Sequence, residues 1–210
     1  MVIILCEGQT EERFVKEIVK PKYDFVQPKI IITSPGHKGG SVKYNDFITQ
    51  CRNVLKNNEI NLLITLFDFA RLPKSWYEDE SVKIKKCPKE INKRIKYDLG
   101  ADGDRIFNVW SIYEFEIIAF IDIEVTCGVI GGEYKNKLEN ILKNCEHNPE
   151  KIDDNNYPSK RLEDIYEGYQ KILDGISISQ KLGIEKICKT KSFKRLFDKL
   201  NELNRGKSKK

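Results

Sequence analysis

The fold class this 210-residue chain predicts is α/β, with a parallel central sheet flanked by helices. Three observations carry that prediction. Residues 2–6 and 62–67 are unbroken apolar runs rich in β-branched side chains, as in strands buried on both faces. The stretches between and after them place apolar residues at helical spacing instead. The two kinds of segment alternate over roughly the first seventy residues, an order that gives parallel strands joined by right-handed crossovers.

The elements follow in sequence. After the first strand, Thr10 is expected to cap a helix whose first-turn Glu11 and Glu12 complement its dipole. Phe14, Val15, Ile18 and Val19 give that helix one apolar face, and Pro21 ends it. Residues 29–33 read as a second strand, followed by a breaker-rich loop containing Gly36, His37, Lys38, Gly39 and Gly40. A second helix starts at Ser41 or Tyr44, runs to Asn57 and buries Phe47, Ile48, Cys51, Val54 and Leu55. The third strand, 62–67, leads into Asp68. Residues 71–98 are polar and strongly charged, with Pro88 placed to open a helix. Residues 105–110 read as a fourth strand and 113–121 as a buried helix that begins with Glu114 and Glu116. Two amphipathic helices are expected at 133–145 and 162–173, the second stopped by Asp174-Gly175. Two more helical pieces lie at 176–182 and 193–203. This divides the chain into a core at 1–125, a helical C-terminal part packed on it at 126–204, and a basic tail at 205–210.

Charge is unevenly spread. The whole chain is +5, but residues 81–97 are +6 and residues 191–210 are also +6, which leaves −7 for the remainder. An acidic body with two basic segments does not coat nucleic acid uniformly; it suits a local acidic site flanked by basic contact surfaces. The hydrophobic content of 40% is too rich for a disordered chain. Six dispersed cysteines without a C-x-x-C pair exclude a zinc ribbon or redox motif, and reduced thiols are expected. No apolar run approaches the ~18 residues of a membrane span, and the N-terminus has no basic region of the secretory kind. The expectation is a soluble, cytoplasmic protein.

Chemistry is expected where parallel strands end, because open α/β sheets bind ligands outside the carboxyl ends of their strands. Glu7 follows the first strand, Asp68 the third, and Glu114 and Glu116 come shortly after the fourth. Clustered carboxylates repel one another unless a cation neutralises them, and Mg²⁺ prefers such oxygen ligands. For any single acid, a solvated turn is the simpler reading. His37 and His147, the only histidines, fit no metal or triad spacing and read as surface residues.

The segment Cys6-Glu7-Gly8-Gln9-Thr10-Glu11 resembles the V-E-G-x-T-E opening of a TOPRIM domain, the metal-binding module of topoisomerases, primases and OLD-type nucleases. Further blocks recur in order: Gly39-Gly40; Leu66-Phe67-Asp68-Phe69 with Leu72-Pro73; Tyr113-Glu114-Phe115-Glu116; Asn148-Pro149-Glu150-Lys151-Ile152-Asp153; and Pro158-Ser159-Lys160-Arg161-Leu162. Over residues 2–203 the chain resembles the TOPRIM-related domain-of-unknown-function family 4276. The resemblance implies a Rossmann-like TOPRIM core and Mg²⁺- or Mn²⁺-dependent phosphodiester chemistry on DNA or RNA. It implies an ABC- or SMC-like ATPase partner and a role in defence against phage or plasmids. By carry-over, Glu7 is a metal ligand or general acid/base and Asp68 is the first acid of the D-x-D motif. The second motif position is Ala70, so Glu114 and Glu116 stand as replacements, and the metal set becomes Glu7, Asp68 and Glu116. Tyr113 takes a place often held by His. Ser159, as a helix N-cap beside Lys160 and Arg161, is placed to hold a phosphate, as is Lys38 in its glycine-rich loop. Residues 83–96 and 191–210 offer sequence-blind phosphate contacts, with Trp76 and Tyr77 near the first as stacking candidates. The expectation is thus a metal-dependent nuclease in an ATPase-associated defence system, with oligomeric state open and no membrane partner. The rivals are a non-catalytic module docked on the ATPase and a nucleotidyl- or phosphotransferase using the same acids.

Overall fold

The computed structural model describes residues 1–34, 37–39, 41–78, 82–111, 114–152 and 157–207, the side chains of Ser34, His37, Lys38 and Lys207 excepted. Four strands form one sheet: β1 (Val2–Cys6), β2 (Val26–Ile30), β5 (Leu62–Asp68) and β6 (Ile106–Ser111). Their order is β2-β1-β5-β6 and every pairing is parallel. The short β3 (Ile32–Ser34) and β4 (His37–Lys38) pair with each other, antiparallel. Together with the flanking helices this is a Rossmann-like α/β fold, as expected.

Alternation along the strands divides the core in two. Ile4, Cys6, Ile64, Leu66 and Val109 point to one face. Ile3, Leu5, Leu63, Phe67 and Trp110 point to the other. The second face is covered by α2 (Tyr44–Leu55) and α3 (Pro88–Leu99), with Trp76 fully buried among Phe47, Phe67 and Trp110. A polar chain runs through this face. Thr65 Oγ1 donates to Asn108 Oδ1 at 2.8 Å, Asn108 Nδ2 donates to Asn92 Oδ1 at 3.0 Å, and Trp110 Nε1 donates to the same oxygen at 2.9 Å. Satisfied pairs of this kind cost little when buried and fix how β5, β6 and α3 sit on one another.

The first face is covered by α1 (Gln9–Phe14), which continues as a π-helical turn over Val15–Val19, and by the C-terminal helices. Those are α4 (Ile123–Ile130), α5 (Lys135–Asn144), α6 (Pro158–Ile165), α7 (Lys171–Ile187) and α8 (Lys191–Lys207). Phe14 contacts Phe115 edge-on with centroids 5.3 Å apart and Phe193 at 5.2 Å. Aromatic contacts of this geometry add about 0.5–1.5 kcal/mol each beyond area burial. One hydrophobic cluster therefore contains residues from β1 to Leu200.

Several local expectations are corrected. The first helix is capped by Gly8 and not by Thr10, which lies inside it and is buried. The strand expected at 29–33 is split: β2 is Val26–Ile30, and residues 32–33 belong to β3; Gln27 and Pro28 mask the start of β2 because an edge strand need not be apolar throughout. Where a helix is expected after Tyr113, which lies outside the described residues, Phe115–Phe120 forms a 3₁₀ turn with all six residues buried. The helix expected at 162–173 is two helices, α6 and α7, separated by residues 166–170. Asp174 does not stop a helix: it lies in the first turn of α7 and accepts a hydrogen bond from Gln170 N at 2.7 Å. Gly175 is buried inside α7, where a Cβ would stand 3.7 Å from the Phe115 ring. Helix α8 carries regular structure through Arg205 to Lys207, into the predicted tail. Among the described residues, no helix is long and apolar enough to cross a membrane.

Candidate functional site

The chain runs from β1 to β2 on one side and to β5 on the other, so the strand order reverses between β1 and β5. Glu7 and Asp68 follow or end these two adjacent strands, where α/β sheets open a crevice. The backbone holds them together: Glu7 N donates to Leu66 O at 3.2 Å, and Asp68 N donates to Glu7 Oε2 at 2.7 Å. Glu11, one turn into α1, joins them, its Oε2 lying over Gly8. Glycine is required close by at Gly39. Its φ is +84°, and a Cβ there would stand 3.0 Å from Glu7 O and 3.2 Å from Gly8 Cα.

Glu114 and Glu116 enter from the other side, on the segment after β6. Glu114 is 0% exposed and Glu116 is 2% exposed. Glu114 Oε2 accepts from Ser159 N at 2.9 Å, and its Oε1 pairs with Arg71. The guanidinium of Arg71 also lies over the Tyr157 ring, 4.9 Å from its centroid. Lys171 Nζ, at the start of α7, stands 2.9 Å from Glu116 Oε1. Glu116 Oε2 has no hydrogen-bond partner among the described residues, and the Tyr169 hydroxyl has none there either.

Five carboxylates thus lie around two cations, and burial with mutual repulsion raises the proton affinity of four of them, Glu7, Glu11, Asp68 and Glu116. Burial, then repulsion from Glu11, pushes Glu7 up to about 7, against the pull of the Asp68 N–H and of Arg71 and Lys171. Glu116 also rises to about 7, mainly through burial, with Lys171 opposing and Glu114 and Glu11 reinforcing. Asp68 is held well above the usual carboxylate range by burial and by Glu11, Glu7 and Glu116. Glu11 rises through burial. Lys171 is held above its ordinary value because its carboxylate neighbours outweigh the burial that lowers it. A cleft of about 460 Å³ opens onto this group, lined by Glu7, Gly8, Glu11, Asp68, Arg71 and Lys171 among others.

The donor set is the all-oxygen kind that suits Mg²⁺ or Mn²⁺, and Glu116 Oε2 is an oxygen donor without a hydrogen-bond partner among the described residues. As the side chains stand, however, no group of three His, Cys, Asp or Glu among the described residues could hold a metal ion. Lys171 and Arg71 supply the positive charge to Glu116 and Glu114 directly.

Of the residues singled out from sequence, Glu7, Asp68, Glu114 and Glu116 come into one cluster. Ser159 joins them in a different role. It is not an N-cap, since Tyr157 holds that position; it is buried, and its N–H is taken by Glu114. The helix start expected to receive a phosphate receives a carboxylate of the same chain. Lys160 is exposed and pairs with Asp164 at 3.5 Å. Arg161 is partly buried in the same helix. Gly40, Tyr113, Asp153, Pro35 and Gly36 lie outside the described residues, as does the side chain of Lys38. Glu11, Arg71 and Lys171 complete the cluster without having been assigned to it. Glu11 stands in the E-G-x-T-E segment itself; Lys171 had no local signal.

The family described as Domain of unknown function (DUF4276) matches residues 6–201 of the chain. No curated protein matches it, and no solved structure does.

Proposed function

The chain belongs to the DUF4276 family, and from that premise we propose that it is a Mg²⁺-dependent nuclease of TOPRIM type, the effector of an ATPase-associated defence system. The observation that carries this reading is that Glu7 and Asp68 meet at the reversal between β1 and β5, with Glu116, after β6, near enough to raise the proton affinity of Asp68. These acids come from three distant parts of the sequence. Buried carboxylates with raised proton affinity are costly as a purely structural arrangement and favour a cationic ligand. Glu7, Asp68 and Glu116 are the residues that would hold the ion, after a rearrangement of their side chains, since as they stand no three such groups among the described residues form a metal site. Such an ion would supply polarisation of a phosphate and a lowered pKa for an attacking water.

The chain's own groups have definable parts. Arg71 is 44% exposed at the cleft and can present its guanidinium to a phosphate oxygen. Lys171 is the second cation there. Glu7, whose Oε2 is fixed by Asp68 N, has Oε1 left either to ligate the ion or, as the alternative role, to take a proton.

Purified protein, alone and with its ATPase, is expected to cleave one of plasmid, single-stranded DNA or transfer RNA with Mg²⁺ or Mn²⁺. Glu7→Ala should abolish that cleavage. No cleavage under any activating condition, or cleavage unchanged in Glu7→Ala, refutes the reading. A second reading, a binding module that docks on the ATPase without catalysis, is favoured by one observation: Lys171 and Arg71 already pair with Glu116 and Glu114. It requires partner binding that survives Glu7→Ala and Asp68→Ala, with no measurable affinity for metal.

A further inference from the structure

Helix α3 carries an exposed face that none of the described residues covers. Its buried side is Ile91, Ile95 and Leu99. At 100° per residue, Lys89, Lys93, Lys96 and Tyr97 fall within one arc on the opposite side. All three lysines are exposed, and Tyr97 is 86% exposed, the most of any large hydrophobic residue described. The line extends beyond the helix: Lys86, just before it, donates from Nζ to Ala70 O at 2.8 Å. Ala70 precedes Arg71, which lines the carboxylate cleft. A row of cations therefore leads from the cleft mouth along α3 for about 18 Å, the length of a 12-residue helix.

We propose that this face binds a single strand of nucleic acid, its phosphates on Lys86, Lys89, Lys93 and Lys96 and one unpaired base stacked on Tyr97. Three features favour that occupant. The row is single and narrow, matching one backbone and not the two walls of a duplex groove. A bare tyrosine offers its ring face only to a base free of its pair. The acids facing these lysines are weak competitors: Glu90 pairs with Lys93 at 3.0 Å and Asp104 with Lys96 at 3.1 Å, both pairs being largely solvated and each readily exchanged for a phosphate. The path's direction into the cleft rests on the nuclease reading; the binding face itself does not.

The test is fluorescence-anisotropy binding of a labelled 15-mer single-stranded DNA, without divalent metal, over a range of salt concentrations. The wild-type protein should bind with a negative slope of log K against log salt. The variant Lys89→Glu/Lys93→Glu/Lys96→Glu should bind at least tenfold more weakly, with a slope shallower by about 2, since each phosphate contact on a single strand contributes about 0.7. Tyr97→Ala should weaken binding about five- to a hundredfold with the slope unchanged. Because all four positions are exposed, matched thermal unfolding of the variants verifies that they remain folded. No binding by wild type at low salt overturns the proposal, as does a slope unchanged in the triple variant. Preference for an acidic protein over the oligonucleotide on this face also overturns it. Hydrolysis of a small phosphodiester by wild-type protein with Mn²⁺ reports the metal chemistry separately, so either reading can fail alone.

Discussion

Glu116→Gln should make the protein more stable at pH 8 while leaving its stability almost unchanged at pH 4.5. The carboxylate is 2% exposed and faces Glu114 and Glu11. Its proton affinity is raised from 4.5 to about 7 in the folded chain. An acid with a raised folded-state pKa holds its proton in the native protein over a range where the unfolded chain has lost it. Stability therefore falls as pH rises from 4.5 to 7 and stays reduced above that range. The gap corresponds to about 3 kcal/mol at 1.36 kcal/mol per pH unit. Glutamine keeps the shape and removes the charge, so it should recover an amount of that order at pH 8 and almost nothing at pH 4.5, where the native carboxyl is already protonated. Lys171 loses its anion in the variant, but it is 39% exposed and can turn to water. Urea unfolding of parent and variant at the two pH values reads the difference directly. Mg²⁺ should stabilise the parent more than the variant at pH 8. A stability difference that is the same at both pH values, or a variant less stable at pH 8, would refute the reasoning.

Two other substitutions probe the frame around the site. Gly39→Ala should cost about 1–3 kcal/mol, because its φ of +84° is unfavourable for alanine and the new methyl meets Glu7 O at 3.0 Å; a lowered thermal midpoint checks it. Asn92→Ala removes the acceptor shared by Trp110 Nε1 and Asn108 Nδ2. It should lower stability by about 1–3 kcal/mol for each donor left unpaired, measured by urea unfolding followed through tryptophan fluorescence.

The parts of the fold legible in sequence are those where burial is complete. Strands β1 and β5 are buried at every position, so their apolar runs are unbroken and their ends are nearly those expected. Strand β2 pairs on one side only, and its Gln27 and Pro28 hide its start from an apolar-run criterion. The pair Asp174-Gly175 reads locally as a stop, but tertiary packing against Phe115 makes it part of a helix start. The carboxylates were legible because they follow strands. Their cations were not: Lys171 comes from a helix start on another part of the chain, and only the folded backbone sets it beside Glu116. Ser159 was noticed for its side chain, whereas its contribution is a main-chain N–H, which every non-proline residue has and no sequence pattern marks.

The pairing of Glu114 with Ser159 N and of Glu116 with Lys171 also bears on how the chain reaches its native state. Both acids are enclosed by segments synthesised well after them. A nascent or clipped polypeptide ending before α6 lacks Ser159 and Lys171, the groups that partner these carboxylates away from water. The full set of partners for the two buried acids is therefore present only in a chain that extends through Lys171.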